Sequence, residues 1–298
     1  MMKSKSAIWL APAVSALIAL AAAGCGTGAA DGRKSNPDGF VSVSGGKFIM
    51  EGREITVGAF HIGRHPVTQG EWKELMGGEP SYFDGTNAFD VSGGITVGKT
   101  QVRATLPVER VSWYDALVYA NRLSVSRGLI PVYELPNAWP DPASWSADTA
   151  DWGNAPTSDD DRWNNARAVS GSDGYRLATE AEWEYAARGG NKSNGHAYSG
   201  SDNLDEVGWY DGNWENGEGR TRPVGTRKAN ELGLFDMSGN VFEWVWDRYS
   251  TDSAGSQRVF RGGSWYHSAE FALSASRYCD IPFYREADTG FRLVRAAR

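Results

Sequence analysis

Cysteine is almost absent from this chain of 298 residues, which has only Cys25 and Cys279. Cys25 ends a leader-like N-terminal segment, so the body holds one thiol and an intrachain disulfide there is excluded even in an oxidising compartment. Histidine is also scarce, with four residues. His61 and His65 are four apart, but we expect them in a strand and a loop rather than on one helix face, which disfavours a zinc pair. Stability must come from packing, and 13 Trp with 36 Gly indicate a loop-rich fold with aromatic packing.

Positive charge is in deficit, and several common functional signatures are missing. The formal net charge is −7, and loss of a leader that contains two lysines would make it −9. An acidic protein is a poor nucleic-acid binder, so we expect no nucleic-acid partner. The chain has no phosphate-cradling glycine loop, no nucleophile elbow around Ser264 and no tandem repeat.

The only long apolar run is at the N-terminus. Lys3 and Lys5 precede an apolar run from Ile8 to Ala23 that ends in small residues and Cys25. The run is shorter than the ~20 residues that span a bilayer, so residues 1–24 are predicted to be a lipoprotein signal peptide. Cys25 would then carry the lipid anchor, and the Gly-rich, polar residues 25–39 would form a tether. The alternative is an uncleaved helical anchor.

Three helices are predicted by their N-terminal signals. Thr68 precedes residues 69–76 with Glu71 at the third helical position, which is a capping box. A second helix is predicted from Ser112 to Arg127 by its apolar stripe, and a third from Thr179 to Arg188, again with a capping-box glutamate.

Strands are predicted to be short and separated by turns. Phe40 to Met50 shows a hairpin signal around Gly45-Gly46, and a strand is predicted from Ile55 to Ile62. Residues 131–168 are interpreted as an extended insertion loop with at most one hairpin. Later strands are predicted at 222–225, 234–237, 241–246, 258–261 and 291–294. The body, residues 40–298, is therefore predicted to be one α+β domain, rich in loops.

Long motifs in this body occur in the order found in a known family. They are GGKFIM, PVERVSWYDALVYANRL, YRLATEAEWEYAARGG, RPVG, GLFDMSGNVFEWVWD, RVFRGGSW and TGFRLVR. The chain resembles formylglycine-generating-enzyme-like domains, which implies their variant of the C-type lectin fold. Alternation in GNVFEWVWD agrees, because Phe242, Trp244 and Trp246 would share one face of a central strand as core residues.

The resemblance also argues against catalysis. Enzymes of the family oxidise a substrate cysteine with two copper-binding cysteines, three and eight residues after the serine of GGS. Counting from Ser264 gives His267 and Ala272. A lone thiol at Cys279 cannot replace that pair of soft ligands, so we expect a protein that is not an enzyme.

A calcium site is implied by the resemblance as well. The corresponding ligands would be the carboxylates of Asp236 and Glu243 and the backbone carbonyls of Gly239 and Val241, a hard oxygen set that suits the ion. Asp236 could instead be a solvated turn residue, and Glu243 a strand residue bonded to backbone. No other cofactor is expected.

The stretch from Tyr266 to Asp288, called the contact segment below, is unlike its flanks. It mixes aromatic residues with Ser and Asp, without helical or strand periodicity. Such a segment is either a core plug or a binding surface. If it is a binding surface, its side chains must point outward while Trp265, Phe291 and Leu293 pack inward.

The C-terminal part of the chain also resembles the variable proteins of diversity-generating retroelements, since it has RGGSW, then a loop-rich stretch, then TGFRLVR. In those systems, adenines of a template sequence are mutated when it is copied, so that AAC codons become NNC. Within a variable region of about residues 258–298, such codons could encode the residues now at fourteen positions. They are Tyr266, His267, Ser268, Phe271, Leu273, Ser276, Tyr278, Cys279, Asp280, Ile281, Phe283, Tyr284, Ala287 and Asp288. Glu270, Arg277, Pro282, Arg285 and Glu286 would then be framework.

The sequence thus predicts a monomeric, membrane-anchored lipoprotein on the outer surface of a bacterial cell. Its contact segment would bind a protein or glycan on another cell or host surface. Two alternatives stay open: a sulfatase-activating oxidase, and an envelope adaptor lipoprotein with one invariant partner.

Overall fold

The computed structural model of the protein describes residues 39–83, 103–136, 145–146, 154–250 and 256–297. Its helices are α1 Gln69–Met76, α2 Trp113–Ser126, α3 Asp161–Asn164, α4 Glu180–Ala187 and α5 Leu204–Val207. Its strands are β1 Phe40–Val43, β2 Gly46–Met50, β3 Arg53–Val57, β4 Phe60–Gly63, β5 Tyr133–Pro136, β6 Trp145–Ser146, β7 Arg167–Ala168, β8 Tyr175–Leu177, β9 Phe242–Arg248, β10 Arg258–Arg261, β11 Arg277–Asp280, β12 Thr289–Phe291 and β13 Leu293–Ala296.

The three predicted helices are confirmed, and local hydrogen bonds explain where they start. Thr68, Ser112 and Thr179 each accept the backbone N–H three residues on, and the acid at that position bonds back to the cap in every case. Each box satisfies two backbone donors that a helix start otherwise leaves unpaired.

The predicted hairpin around Gly45-Gly46 is wrong. β2 pairs with β3, and the turn between them lies at Glu51 and Gly52, both with positive φ. β1 instead pairs with β4 in a sheet of order β1-β4-β13-β8. The turn signal was misread because a Cβ on Gly45 would lie 2.7 Å from the Val57 carbonyl oxygen, so this glycine serves a close approach of strands rather than a turn. The predicted strand 55–62 is accordingly split between β3 and β4.

The second sheet carries the contact segment. Its order is β11-β10-β9-β12, antiparallel except for the parallel pair β9 and β12. β9 is central, as its alternation predicted: Phe242 and Trp244 face one hydrophobic core and Val245 the other. Indole N–H groups fasten this sheet to α2, since Trp113 donates to the Val245 carbonyl at 2.9 Å and Trp244 to that of Val111 at 3.0 Å.

Two buried charge clusters lie behind the second sheet. Arg292 binds both carboxylate oxygens of Glu243 at 2.7 and 2.6 Å, and both side chains are almost fully buried. Arg261 on β10 bonds Glu180 at 3.1 Å and Glu184 at 2.5 Å on α4. Buried charges of this kind are tolerable only when paired. Arg261 thus joins β10 to α4, and Arg292, which lies between β12 and β13, joins that part of the chain to Glu243 on β9.

Other parts of the body depart from the sequence-based expectations. The insertion, 131–168, contains α3 and the strands β5, β6 and β7, which form a small sheet of order β6-β5-β7. Residues 222–225 and 234–237 are not strands, whereas β8 and β11 were missed. The predicted leader and tether lie outside the described residues apart from Gly39. Within the described part, no helix is long and apolar enough to cross a membrane.

Candidate functional site

The contact segment leaves β10 through Gly262 and Gly263 and returns at β12. It contains a short 3-10 turn, Ala269–Ala272, and the strand β11, which the sequence pattern of the segment does not reveal. The reason is that β11, which among the described strands pairs only with β10, has alternate residues, Tyr278 and Asp280, that are not uniformly apolar. Gly263 has a φ of 73°, and a Cβ there would lie 2.8 Å from the Ala272 backbone. Glycine is therefore required where the segment folds back on its own start.

Scaffold groups hold the backbone of the segment at both ends. The Trp265 indole donates to the Ala287 carbonyl at 2.9 Å, which ties the beginning of the segment to its end. The Phe242 amide donates to the Asp288 carbonyl at 2.8 Å, and the Ser238 hydroxyl to that of Ala272 at 2.8 Å. Because these bonds use main-chain acceptors of the segment, they do not depend on its side chains.

Three residues that the sequence assigned to the framework contact the scaffold directly. Arg277 makes two hydrogen bonds of 2.8 Å with the Glu180 carboxylate. Arg285 binds Asp115 at 2.7 Å, and the buried Pro282 accepts the Trp113 amide at 3.0 Å. Each contact reaches a helix N-terminus, α4 or α2, so the segment is fastened to both.

None of the fourteen candidate contact residues is fully buried. Tyr266 is 59% exposed, and the other thirteen are half-buried. They do not all point outward as the display hypothesis required, because Phe271, Tyr278, Phe283 and Tyr284 also pack on the edge of the main core. Phe291 and Leu293 are buried as expected, whereas Trp265 is only half-buried.

Seven of the fourteen side chains line one open cleft with a volume of about 360 Å³. They are His267, Phe271, Tyr278, Cys279, Asp280, Tyr284 and Asp288. The scaffold supplies Phe242, Tyr249 and Phe260 to the same cleft, three aromatic residues that sequence reasoning did not assign to the site. A volume of this size falls in the range of small-ligand sites, and it suits a few side chains of a larger ligand.

His267 has partners in the folded chain, although none is close in sequence. Its Nδ1 lies 2.8 Å from the Ser264 hydroxyl and 3.5 Å from the Asp288 carboxylate. Burial lowers the pKa of His267 and raises that of Asp288. Both groups approach the same ring nitrogen, whereas a catalytic triad needs the serine on one nitrogen and the acid on the other. The second family cysteine position, Ala272, is buried.

Cys279 is half-buried on β11 opposite Val259. Burial and the neighbouring Asp280 carboxylate raise the pKa of its thiol. A thiol that stays protonated is a poor nucleophile and a poor metal ligand.

The donor set expected for calcium, Asp236, Gly239, Val241 and Glu243, does not fit the ion. Both oxygens of Glu243 are bonded to Arg292, and one also accepts the Trp183 indole N–H at 2.6 Å. Asp236 is buried and accepts the Gly225 amide at 2.7 Å and the Asn240 side chain at 3.2 Å. A guanidinium already neutralises the carboxylate that would bind the cation. Across the described residues, no group of three or more His, Cys, Asp or Glu side chains converges as a metal site.

An aromatic surface continues beyond the segment onto the scaffold. Phe83 packs edge-on against Trp265 at 5.2 Å, and the Trp214 indole donates to the Trp265 carbonyl at 2.6 Å. Tyr82 is exposed and packs on Phe83, and the exposed Tyr266 packs on Trp265, as does Trp214. No sequence pattern predicts this grouping, because Phe83, Trp214 and Trp265 meet only through the fold.

Comparison with known proteins identifies the family. The model of the sulfatase-modifying factor enzyme 1-like domain matches residues 27–297. Chaperone protein LppX of Paenibacillus barcinonensis is 37% identical over 86% of this chain and 89% of its own length. The inactive Cα-formylglycine-generating enzyme 2 of Bos taurus is 28% identical over 86% of this chain and 88% of its own. The relatives thus include a protein described as inactive.

A solved structure supports the same conclusion. Treponema denticola variable protein 1 has a TM-score of 0.72 and 31% identity, covering 86% of this chain and 94% of that one. The predicted resemblance to variable proteins is therefore confirmed at the level of the fold and most of the body. The chain belongs to the sulfatase-modifying factor enzyme 1-like domain family and has the loop-rich, mixed α+β, C-type-lectin-like fold of the formylglycine-generating-enzyme type.

Proposed function

We propose that the protein is a binding protein whose contact segment presents changeable side chains on a fixed scaffold. One observation carries this proposal: all fourteen candidate side chains are at least partly exposed, while the segment backbone is held by scaffold groups and by Arg277, Pro282 and Arg285. Side chains can then change without loss of these main-chain and framework contacts, and a change at Phe271, Tyr278, Phe283 or Tyr284 alters only the packing on the edge of the core. Its Tyr and Phe residues give large contact area at low entropic cost.

Retroelement diversification is the proposed source of the change. The similarity to Treponema denticola variable protein 1 supports it, and the residues at the candidate positions are compatible with it, because they were chosen as residues that NNC codons can encode. Sequencing the gene and its neighbourhood tests it. We expect a reverse-transcriptase gene and a near-copy of the last ~100 bases that differs at adenines. Their absence would contradict diversification by a retroelement.

The proposed setting is the outer surface of a bacterial cell, with the lipid anchor on Cys25. The proposed ligand is a protein or glycan on another cell or host surface. Mass spectrometry of the mature N-terminus tests the anchor, since diacylated Cys25 is expected as residue one. Protease treatment of intact cells tests display: a surface protein is cut, whereas a protein that faces the periplasm is protected.

We propose no enzymatic activity. The family's two copper-binding cysteine positions hold His267 and Ala272, and the pKa of the Cys279 thiol is raised. Assays for copper binding and for oxidation of a cysteine peptide should therefore be negative, and turnover in the second assay would overturn this part of the proposal.

Site-specific photo-crosslinking tests binding through the segment. A crosslinker replaces Tyr266, and the matched control replaces Val125 on α2, which is 52% exposed against 59% for Tyr266. On producing cells mixed with candidate host or neighbouring cells, we expect adducts from position 266 and not from position 125. Equal adducts from both positions, or adducts from position 125 alone, would contradict the proposal.

A second function is an envelope adaptor with one invariant partner. The 37% identity to a protein named as a chaperone favours it, since that similarity extends over most of both chains. The two proposals differ in a simple observable. An adaptor keeps the fourteen positions constant among isolates and gives one crosslinked partner, whereas a diversified protein varies at those positions.

A further inference from the structure

The cleft of the contact segment combines aromatic walls with acidic groups. The rings of Phe271 and Tyr278 stack with centroids 4.6 Å apart, and Phe242 meets Tyr278 edge-on at 5.8 Å. Asp280 and Asp288 line the same cleft, with Tyr284 on its wall. Ring faces and carboxylates together favour a positively charged group, because both attract a cation and the partly buried setting reduces screening by water.

The acidic groups in and beside the cleft have little compensation. Among the described residues, no lysine or arginine lies within 4.0 Å of the carboxylates of Asp280 or Glu286. Of the residues that the structure describes, the one ionisable basic group within ion-pair distance of Asp288 is His267, whose lowered pKa leaves its ring neutral near pH 7. Burial, with a contribution from Glu286, raises the pKa of both Asp280 and Asp288, as expected where carboxylates repel one another.

Arg277 is the one lysine or arginine among the described residues that line the cleft, and its guanidinium is already paired with a carboxylate. Both of its bonds to Glu180 are 2.8 Å long, and its guanidinium lies over the Tyr249 ring at 4.6 Å. The contact between Arg277 and Tyr249 is an example, within the same cleft, of a guanidinium packed on an aromatic ring. Arg277 does not reach Asp280 or Asp288 within ion-pair distance.

We infer that the cleft binds an arginine or lysine side chain of a protein ligand, with the aromatic walls around the cation and Asp280 and Asp288 as its counter-ions. The inference rests on the proposed function and specifies its ligand. An apolar group in the cleft would leave two carboxylates desolvated and unpaired, which is costly. Tyr278, Asp280, Tyr284 and Asp288 all belong to the positions proposed to vary, so the preference for a cation belongs to this version of the segment.

Small probes test the inference with the full-length protein. Argininamide is titrated by saturation-transfer NMR beside citrullinamide, which has nearly the same shape without the charge. We expect the protein to bind argininamide about tenfold more tightly, the size of one partly desolvated cation contact. Equal binding of the two probes, or no binding of argininamide up to roughly 20 mM, overturns the inference.

Matched variants assign the effect to the cleft. Asp280→Asn and Asp288→Asn keep the acceptors for the Ile281 amide and the Thr289 hydroxyl, so the fold is preserved. Each variant should reduce the preference for argininamide over citrullinamide several-fold. The control Glu270→Gln also removes one negative charge, but at an exposed residue outside the cleft, so it should leave the preference unchanged. A preference that survives both aspartate variants contradicts the inference.

The outcome is separable from that of the proposed function. If argininamide does not bind but position 266 still forms specific crosslinks, the segment binds a ligand that places no cation in the cleft. If position 266 crosslinks no better than position 125, the proposed function fails regardless of the probes.

Discussion

Replacing Arg261 with methionine should destabilise the scaffold where it holds the contact segment. The Arg261 side chain is fully buried and joins Glu180 at 3.1 Å with Glu184 at 2.5 Å. It also donates to the carbonyls of Ser274 at 3.0 Å and Ala275 at 3.4 Å, within the segment. The Arg261→Met variant therefore loses two ion pairs and leaves two segment carbonyls without their donor.

The expected loss of stability depends on which ion pairs Glu180 and Glu184 keep after Arg261 is replaced. Breaking a buried ion pair costs about 3–5 kcal/mol when the remaining charge has no other partner. Here Glu180 keeps Arg277 and Glu184 keeps Arg188 at 2.7 Å, which favours the lower end of that range. We expect a loss of about 3 kcal/mol in the free energy of unfolding, or a fall in Tm of roughly 6 to 12 °C for a body of this size.

Urea denaturation followed by tryptophan fluorescence measures this loss. Arg188→Met is the control, because Arg188 is partly exposed and, in the described part of the chain, forms an ion pair with Glu184 alone, so its loss should cost about 1 kcal/mol or less. In the Arg261→Met background, Glu184→Gln should recover part of the stability by removing a buried charge. A cost for Arg261→Met below about 1 kcal/mol would refute the view that this arginine holds the segment to α4.

Three further predictions concern single residues. Burial raises the pKa of Glu109 to about 7, against the opposing hydrogen bonds from the Tyr82 and Phe83 amides. The folded protein thus holds this proton more tightly than the unfolded chain. Unfolding free energy should fall by up to about 3 kcal/mol between about pH 4.5 and about pH 8, and Glu109→Gln should remove that component, as pH-dependent urea titrations can show. Tyr266→Ala should weaken ligand binding by about 2 kcal/mol while stability changes by less than about 0.5 kcal/mol, measured by titration and by thermal melting; a large loss of stability would mean that Tyr266 is structural. Cys279→Ser should change stability by less than about 1 kcal/mol, and alkylation of Cys279 should be slower than that of a free cysteine; fast alkylation at neutral pH would contradict the raised thiol pKa.

Local signals predicted the helices well, and non-local pairing explains most of the errors. The caps Thr68, Ser112 and Thr179 act within four residues, so the sequence displays them directly. Strand pairing depends on distant partners: β1 prefers β4 over β2, and β11 is stabilised by β10 across the start of the contact segment. Periodicity in a four-residue stretch such as 277–280 cannot reveal such a partner.

The sequence proposes where the candidate site lies, but it does not reveal which side chains the fold brings together there. The contrast between the segment and its flanks suggested residues 266–288, but the codon argument excludes only residue types such as glutamate, since NNC codons also encode arginine. The contacts that hold Arg277 and Arg285 to the scaffold are visible only in the fold. The pairing of Glu243 with Arg292, which removes the expected calcium ligand, joins residues 49 apart in sequence. A glutamate in a strand with buried aromatic neighbours was a signal that a cationic partner would be needed.

The central claim is that contact residues change while the scaffold stays folded, and a library of the segment tests it most directly. All positions from 266 to 288 are substituted singly in the displayed protein, and resistance to protease reports folding for each variant. The account predicts that most substitutions at exposed or cleft positions such as Tyr266 and Asp280 are tolerated, whereas those at Arg277, Pro282 and Arg285 reduce folding sharply. Equal intolerance at both groups of positions would contradict it, because the segment would then be part of the core and not a surface carried by it.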